Sequence, residues 1–122
     1  AAGITTLDLL DDEAYDRLET LGQVLDNCVE PVLKKHGYPM RLMRRGSLFW
    51  FSPSSAQPPA RADLIPSDAG MLYSDVHKGL LERGYRLAPS AYEIGFIATV
   101  HEEHHILGMA KALDEVLEEL EW

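Results

Sequence analysis

Basic residues are scarce in this chain: 11 lysines and arginines stand against 20 aspartates and glutamates, giving a formal net charge of -9 over 122 residues. That deficit argues against nucleic acid or an anionic membrane surface as a partner, since both are held by clustered Lys and Arg. The local group Arg41, Arg44 and Arg45 is too small to reverse it. Cysteine is nearly absent too. Cys28 stands alone, so no internal disulfide can form, which fits a reducing, cytoplasmic compartment; its apolar helical neighbours mark it as a buried structural thiol. No apolar run approaches the ~20 residues of a membrane span. There is no Gly-x-Ser-x-Gly elbow, no Walker loop, no dinucleotide fingerprint and no internal repeat. Residues 1–10 have helical spacing but no initiator methionine, targeting signal or N-cap before them, so the expectation is a fragment that enters a helix midway.

What is present reads as one domain, residues 1–122, of ordinary globular composition. Asp12 is placed to cap a second helix with an apolar stripe of Tyr15, Leu18, Leu21, Leu25, Val29 and Val32. Pro31 is expected to kink it, and Gly37, just after Lys34-Lys35-His36, to stop it. Residues 40–44 and 47–51 read as two strands about Arg45-Gly46, the second apolar on both faces and therefore central. Residues 52–66, with four prolines and three serines, form a long crossing loop. Ser67 or Asp68 can cap a third helix carrying Met71, Leu72, Val76, Leu80 and Leu81, ended by Gly84. Two further strands are expected, one ending at residues 87–89 and one over residues 92–100. A last helix after His101 has Ile106, Met109, Ala110, Leu113, Val116, Leu117 and Leu120 on one side and Glu115, Glu118, Glu119 and Glu121 on the other. That order predicts an α+β fold, a small, mostly antiparallel sheet covered by helices.

The stretch Tyr92-Glu93-Ile94-Gly95-Phe96 attracts most interest. Strand periodicity puts Tyr92, Ile94 and Phe96 on one face and Glu93 opposite them, beside Gly95, where a second backbone or a ligand could come close. Glu93 is then either a functional carboxylate or a solvated group on an edge strand. His101-Glu102-Glu103-His104-His105 matches His-Glu-x-x-His, in which two helical histidines hold zinc and the glutamate acts as base. A capping box of Thr99 and Glu102 would make His101 helical, whereas a start at Glu102 or Glu103 would leave it outside and break the pairing. The downstream glutamates lie roughly 15 to 21 Å along the same helix from His105 at about 1.5 Å per residue, so no third ligand is at hand. His36 and His77 read as helix-surface groups, and Ser90 has no base evident in sequence. Lys34, Lys35, Lys78 and Lys111 read as solvated ammonium groups on helices.

Three pieces carry a resemblance. They are Ala1-Ala2-Gly3 leading through Leu9-Leu10 into Tyr15-x-x-Leu18-x-x-Leu21-Gly22, then Gly46-Ser47-Leu48-Phe49, and, most specifically, Leu81-Glu82-Arg83-Gly84-Tyr85-x-Leu87-Ala88-Pro89-Ser90-x-Tyr92-Glu93-x-Gly95-Phe96 with His101 behind it. Together they resemble the C-terminal small domain of the glutamate-1-semialdehyde 2,1-aminomutases, class III aminotransferases of the fold-type-I pyridoxal-phosphate enzymes. The resemblance implies a homodimeric parent that forms the tetrapyrrole precursor 5-aminolevulinate from a small amino/oxo acid, with the pyridoxal-phosphate lysine in a large domain upstream of Ala1. It implies no cofactor site, no metal and no catalytic group in this chain, but a substrate-side role for Glu93 with Ser90 beside it. Ile94, where the family usually has alanine, and His104-His105, where its last helix usually opens on acids, depart from the pattern. Another class III aminotransferase is an alternative. A zinc hydrolase on His101, Glu102 and His105 and a non-enzymatic interaction module are the rivals from other classes.

Overall fold

The computed structural model describes residues 1–53, 57 and 59–120. Four helices, α1 (Ala2–Asp8), α2 (Asp12–His36), α3 (Ala69–Glu82) and α4 (Glu103–Glu119), accompany a three-stranded antiparallel sheet of β1 (Arg41–Arg45), β2 (Leu48–Ser52) and β3 (Gly95–Phe96). The α+β architecture read from the sequence is the one observed, with β2 central. One short 3-10 turn, Ala62–Leu64, interrupts the crossing loop. Ser54, Ser55, Ala56 and Pro58 of that loop, and Glu121 of the acidic face, lie outside the described residues.

Helix α2 begins one residue earlier than its sequence cap implies. The Asp11 carboxylate, in extended backbone, accepts from the Ala14 N–H at 2.9 Å, satisfying a donor that the first turn leaves unpaired. The helix runs without a break through Pro31 to His36 and stops where Gly37 turns left-handed at φ 64. Leu18, Leu21, Leu25, Val29 and Leu33 are its buried line, whereas Tyr15 is exposed and Val32 only partly covered, so the stripe lies slightly rotated from the expected one. Helix α4 presents Ile106, Met109, Ala110, Leu113, Val116 and Leu117 inward, as its spacing predicts. The two helices pack on each other, with α2 also against β1 and α3 also against α4. Leu25, Val29, Val76, Leu80 and Leu113 are almost wholly removed from water at this junction, each such burial contributing about 1.5–3 kcal/mol before the entropy of ordering is subtracted.

The hairpin turns at Gly46-Ser47, one residue later than expected, with Met43 opposite Trp50 and Leu42 opposite Phe51. Arg44 fastens it to α2. Its guanidinium donates to Asp26 Oδ2 at 2.7 Å, to Glu19 Oε1 at 3.0 Å and to the Gly46 carbonyl at 2.7 Å, and the bond to Arg44 holds the Glu19 carboxyl below its ordinary range. Arg44 is thus spent on acids of α2, and the supposed basic cluster is no free cationic patch. At the far end of α2, Lys35 and His36 converge on Asp114 of α4 at 2.7 and 2.6 Å, and together they hold its carboxyl below the usual range. His36 is therefore a half-buried, bonded group and not the surface histidine its position implies.

Four other expectations are corrected. Residues 87–89 form no strand: Pro89 has no ladder donor and Ala88 bonds a side chain instead. The strand expected over residues 92–100 shrinks to Gly95–Phe96, paired as Leu48 with Phe96 and Phe49 with Gly95, because turns close on either side of it. In α3, Met71 and Leu81 are exposed, and Tyr73, absent from the expected stripe, is buried in their place. The carboxylate of Asp68 makes no capping bond. Helix α1 buries none of its residues; Ile4 and Leu7 are exposed, and Leu10 just beyond it is half-buried. Replacing Leu113 by alanine is expected to cost about 2–5 kcal/mol in urea unfolding and Met71→Ala within about 0.5 kcal/mol; equal losses would contradict the helix faces described here.

Candidate functional site

The residues singled out by sequence do come together, though not as a strand. Residues 90–93 form a closed turn: the Glu93 N–H donates to the Ser90 carbonyl at 3.1 Å, the Ser90 N–H donates back to Glu93 Oε2 at 3.1 Å, and the Tyr92 N–H donates to Ser90 Oγ at 3.2 Å. Serine favours such local bonding because its hydroxyl can replace a backbone acceptor in a turn. Glu93 is therefore neither opposite an aromatic face nor beside an open space. It is an exposed carboxylate with one oxygen engaged by its own turn. On its Cβ side Gly95 is closed by the sheet, since a methyl added there would meet the Phe49 ring carbons at 2.6 Å, while the residue itself lines the cleft described below.

Two rings hold the turn from different layers. Trp50 of β2 donates its indole N–H to the Ala91 carbonyl at 2.7 Å, and Tyr73 of α3 donates its hydroxyl to the Ala88 carbonyl at 2.6 Å. Burial, and then the charge of Glu93, push the Tyr73 phenol up to about 12, which keeps its donor proton in place at neutral pH. Neither ring was marked as functional by sequence. The only signal was the general need of a buried Tyr or Trp to find a partner for its polar end. Next to Glu93 in the chain Tyr92, Ile94 and Phe96 are exposed, and so are Val100 and Leu107 further on.

A cleft of about 560 Å³ is lined among others by Phe49, Leu87, Ile94, Phe96, His101 and Met109. Ala88 and Ile94, on either side of the turn, reach it; Ser90 and Glu93 do not. Its histidines are engaged in closing α4. The helix begins at Glu103 with Glu102 as N-cap, and the capping box joins Glu102 to His105 rather than Thr99 to Glu102. His105 Nδ1 accepts from the Glu102 N–H at 3.0 Å, and His101 Nδ1 accepts from the Ala98 N–H at 2.9 Å. His101 thus lies outside the helix, which breaks the one-turn pairing a zinc motif requires, and no group of three potential metal ligands occurs among the described residues. Arg17 of α2 fixes this corner by donating to the Thr99 carbonyl at 2.8 Å and to the His101 carbonyl at 2.9 Å.

Lys34, Lys35, Lys78 and Lys111 are all exposed, Lys35 and Lys111 facing the carboxylates of Asp114 and Glu115. A pyridoxal-phosphate lysine must be desolvated to act as a nucleophile, and the phosphate needs gathered backbone donors. Among the described residues no helix is long and apolar enough to cross a membrane.

No family model matches the chain. Among curated proteins it is 38% identical to the glutamate-1-semialdehyde 2,1-aminomutase of Opitutus terrae, over 98% of this chain and 28% of that protein. It is 36% identical to that of Akkermansia muciniphila, over 87% of this chain and 25% of the relative, and 31% identical to that of Leptospira interrogans, over 95% and 27%. Two solved structures align with it: an omega-transaminase from Sphaerobacter thermophilus with a TM-score of 0.76 at 27% identity, over 97% of this chain and 27% of that one, and a transaminase with PLP bound with a TM-score of 0.74 at 28% identity, over 96% and 26%. The chain spans about a quarter of the length of each. Because His101 and His105 both accept through Nδ1, their neutral rings carry the proton on Nε2; ¹⁵N spectra at pH 8 should show that tautomer for both and no stoichiometric shift on adding zinc, and a 1:1 zinc shift of both rings would revive the metal reading. In sequence and in fold the chain corresponds to the C-terminal part of the glutamate-1-semialdehyde 2,1-aminomutases and of the transaminases built like them.

Proposed function

We propose that the chain serves as the C-terminal small domain, residues 1–122, of a pyridoxal-phosphate-dependent glutamate-1-semialdehyde 2,1-aminomutase or a related class III aminotransferase, and that Glu93, with Ser90, contributes to substrate handling. The observation that carries this reading is the Ser90–Glu93 turn. It presents an exposed carboxylate on a rigid frame, in a chain that matches aminomutases over 98% of its length. In such an enzyme the cofactor supplies the amino-transfer chemistry, and its lysine and phosphate site would belong to an upstream large domain.

The work of this chain is then to place groups. Glu93 keeps one oxygen on the Ser90 N–H and leaves the other to meet a donor on a small amino or oxo acid such as the semialdehyde. Ser90 shapes the turn through its backbone and hydroxyl. Tyr92, Ile94, Phe96 and Val100, all exposed, would be covered by the large domain or, in a cytoplasmic homodimer, by a second subunit.

In the longer enzyme Glu93→Gln keeps the shape and removes the charge. It is expected to lower kcat/KM for the amino substrate by roughly tenfold or more, the worth of one charge-assisted hydrogen bond. Unchanged kinetics would return Glu93 to a solvated surface group. The 122-residue chain by itself is expected to hold no cofactor specifically. Borohydride reduction with limiting pyridoxal phosphate should label Lys34, Lys35, Lys78 and Lys111 sparsely, and stoichiometric labelling of one of them would overturn that expectation.

A further inference from the structure

Residues 86–94 carry no ladder bonds, and Ser90 and Glu93 bond each other within the turn. Besides the burial of Ala91 and Leu87 against the core, the segment is tied to the rest of the fold by the pair of long-range donors already described. Trp50 reaches 41 residues along the chain to the Ala91 carbonyl and Tyr73 reaches 15 to the Ala88 carbonyl, so the two anchored carbonyls flank Pro89-Ser90. The anchors come from different layers, β2 and α3, and so refer the turn to the sheet and to the helices at once. Both rings are stiff, with two side-chain torsions each; Tyr73 is 5% exposed and Trp50 half-buried, so packing limits how far either donor can follow a drifting turn. We infer that Trp50 and Tyr73 are positioning residues for Glu93, setting where its carboxylate stands relative to the sheet; this rests on the substrate-side reading of Glu93.

A purely structural role would look different from a positioning role, and the fold contains its own control. Tyr38 donates its hydroxyl to the Leu72 carbonyl at 2.8 Å, the same kind of bond from an equally buried ring, made to α3 and not to the turn. Tyr73→Phe and Tyr38→Phe each remove one hydroxyl without opening a cavity in the ring's place. The expectation is a similar fall in melting temperature for both. In the 122-residue chain, only Tyr73→Phe should speed hydrogen exchange at the Ser90 amide. In the longer enzyme, only Tyr73→Phe should lower kcat/KM, by roughly fivefold, the equivalent of one neutral hydrogen bond. Trp50→Phe should act in the same direction at both readouts. In a Glu93→Gln background Tyr73→Phe should add nothing to the kinetic loss, since its effect passes through that carboxylate.

Positioning is overturned if Tyr73→Phe changes only stability, as Tyr38→Phe does, or if its kinetic effect is the same with and without the Glu93 carboxylate. Should Glu93→Gln itself leave turnover and affinity unchanged, the substrate-side reading falls by that result alone. The Ser90 amide then still decides about the anchors: faster exchange in Tyr73→Phe than in Tyr38→Phe supports them, and equal exchange removes them.

Discussion

The seam between α2 and α4 is the constraint on which the rest of the structure depends. Leu25 and Val29 on one helix and Leu113 and Leu117 on the other are buried there, and the polar ends of the seam are tied by Lys35 and His36 to Asp114 at one end and by Arg17 to the Thr99 and His101 carbonyls at the other. Arg17 matters because the chain reaches α4 directly from β3. Fixing Thr99 and His101 fixes the far end of the segment that β3 begins, and the Ile97 N–H, donating to the Ser47 carbonyl at 2.8 Å, fixes it to the hairpin. The hairpin is in turn locked to α2 through Arg44. One rigid frame therefore surrounds a segment, residues 86–94, that has almost no regular structure of its own.

Such a segment is where function is usually placed, on a loop positioned by a scaffold. The turn leaves few of its own polar groups to chance: Ser90 and Glu93 satisfy each other, and the carbonyls of Ala88 and Ala91 are taken by the buried Tyr73 and the half-buried Trp50. The result is a carboxylate held in place before any ligand arrives, so that less ordering entropy is lost when one does. The exposed apolar residues next to it in the chain, together with the exposed α1, are the surfaces through which a domain of this kind would meet the remainder of a larger enzyme.

Much of this was legible in sequence. The 3.6-residue spacing of Leu18, Leu21, Leu25 and Val29 and of Ile106, Met109, Leu113 and Leu117 named the two core helices, and the aromatic run after Arg45-Gly46 named the central strand. Glu93 and Ser90 were found by their resemblance to a family motif, and the turn that joins them was not. Composition favours a strand over residues 92–100; against it stand one long-range bond, the capture of the Ala91 carbonyl by Trp50 41 residues away, and two short side-chain closures, Glu93 on Ser90 and His101 on Ala98. Periodicity cannot see such bonds. The same limit explains Met71 and Leu81, apolar at plausible positions but exposed, and Tyr73, absent from the expected stripe yet buried with its hydroxyl on the Ala88 carbonyl.

The most direct test is a crystal structure of the longer enzyme with a non-reactive amino-acid analogue of its substrate bound. The account predicts an intact Ser90–Glu93 turn, with the free Glu93 oxygen at hydrogen-bonding distance, about 2.6–3.2 Å, from the analogue directly or through one water. A Glu93 side chain pointing into bulk solvent, with the analogue held wholly by other residues, would contradict it.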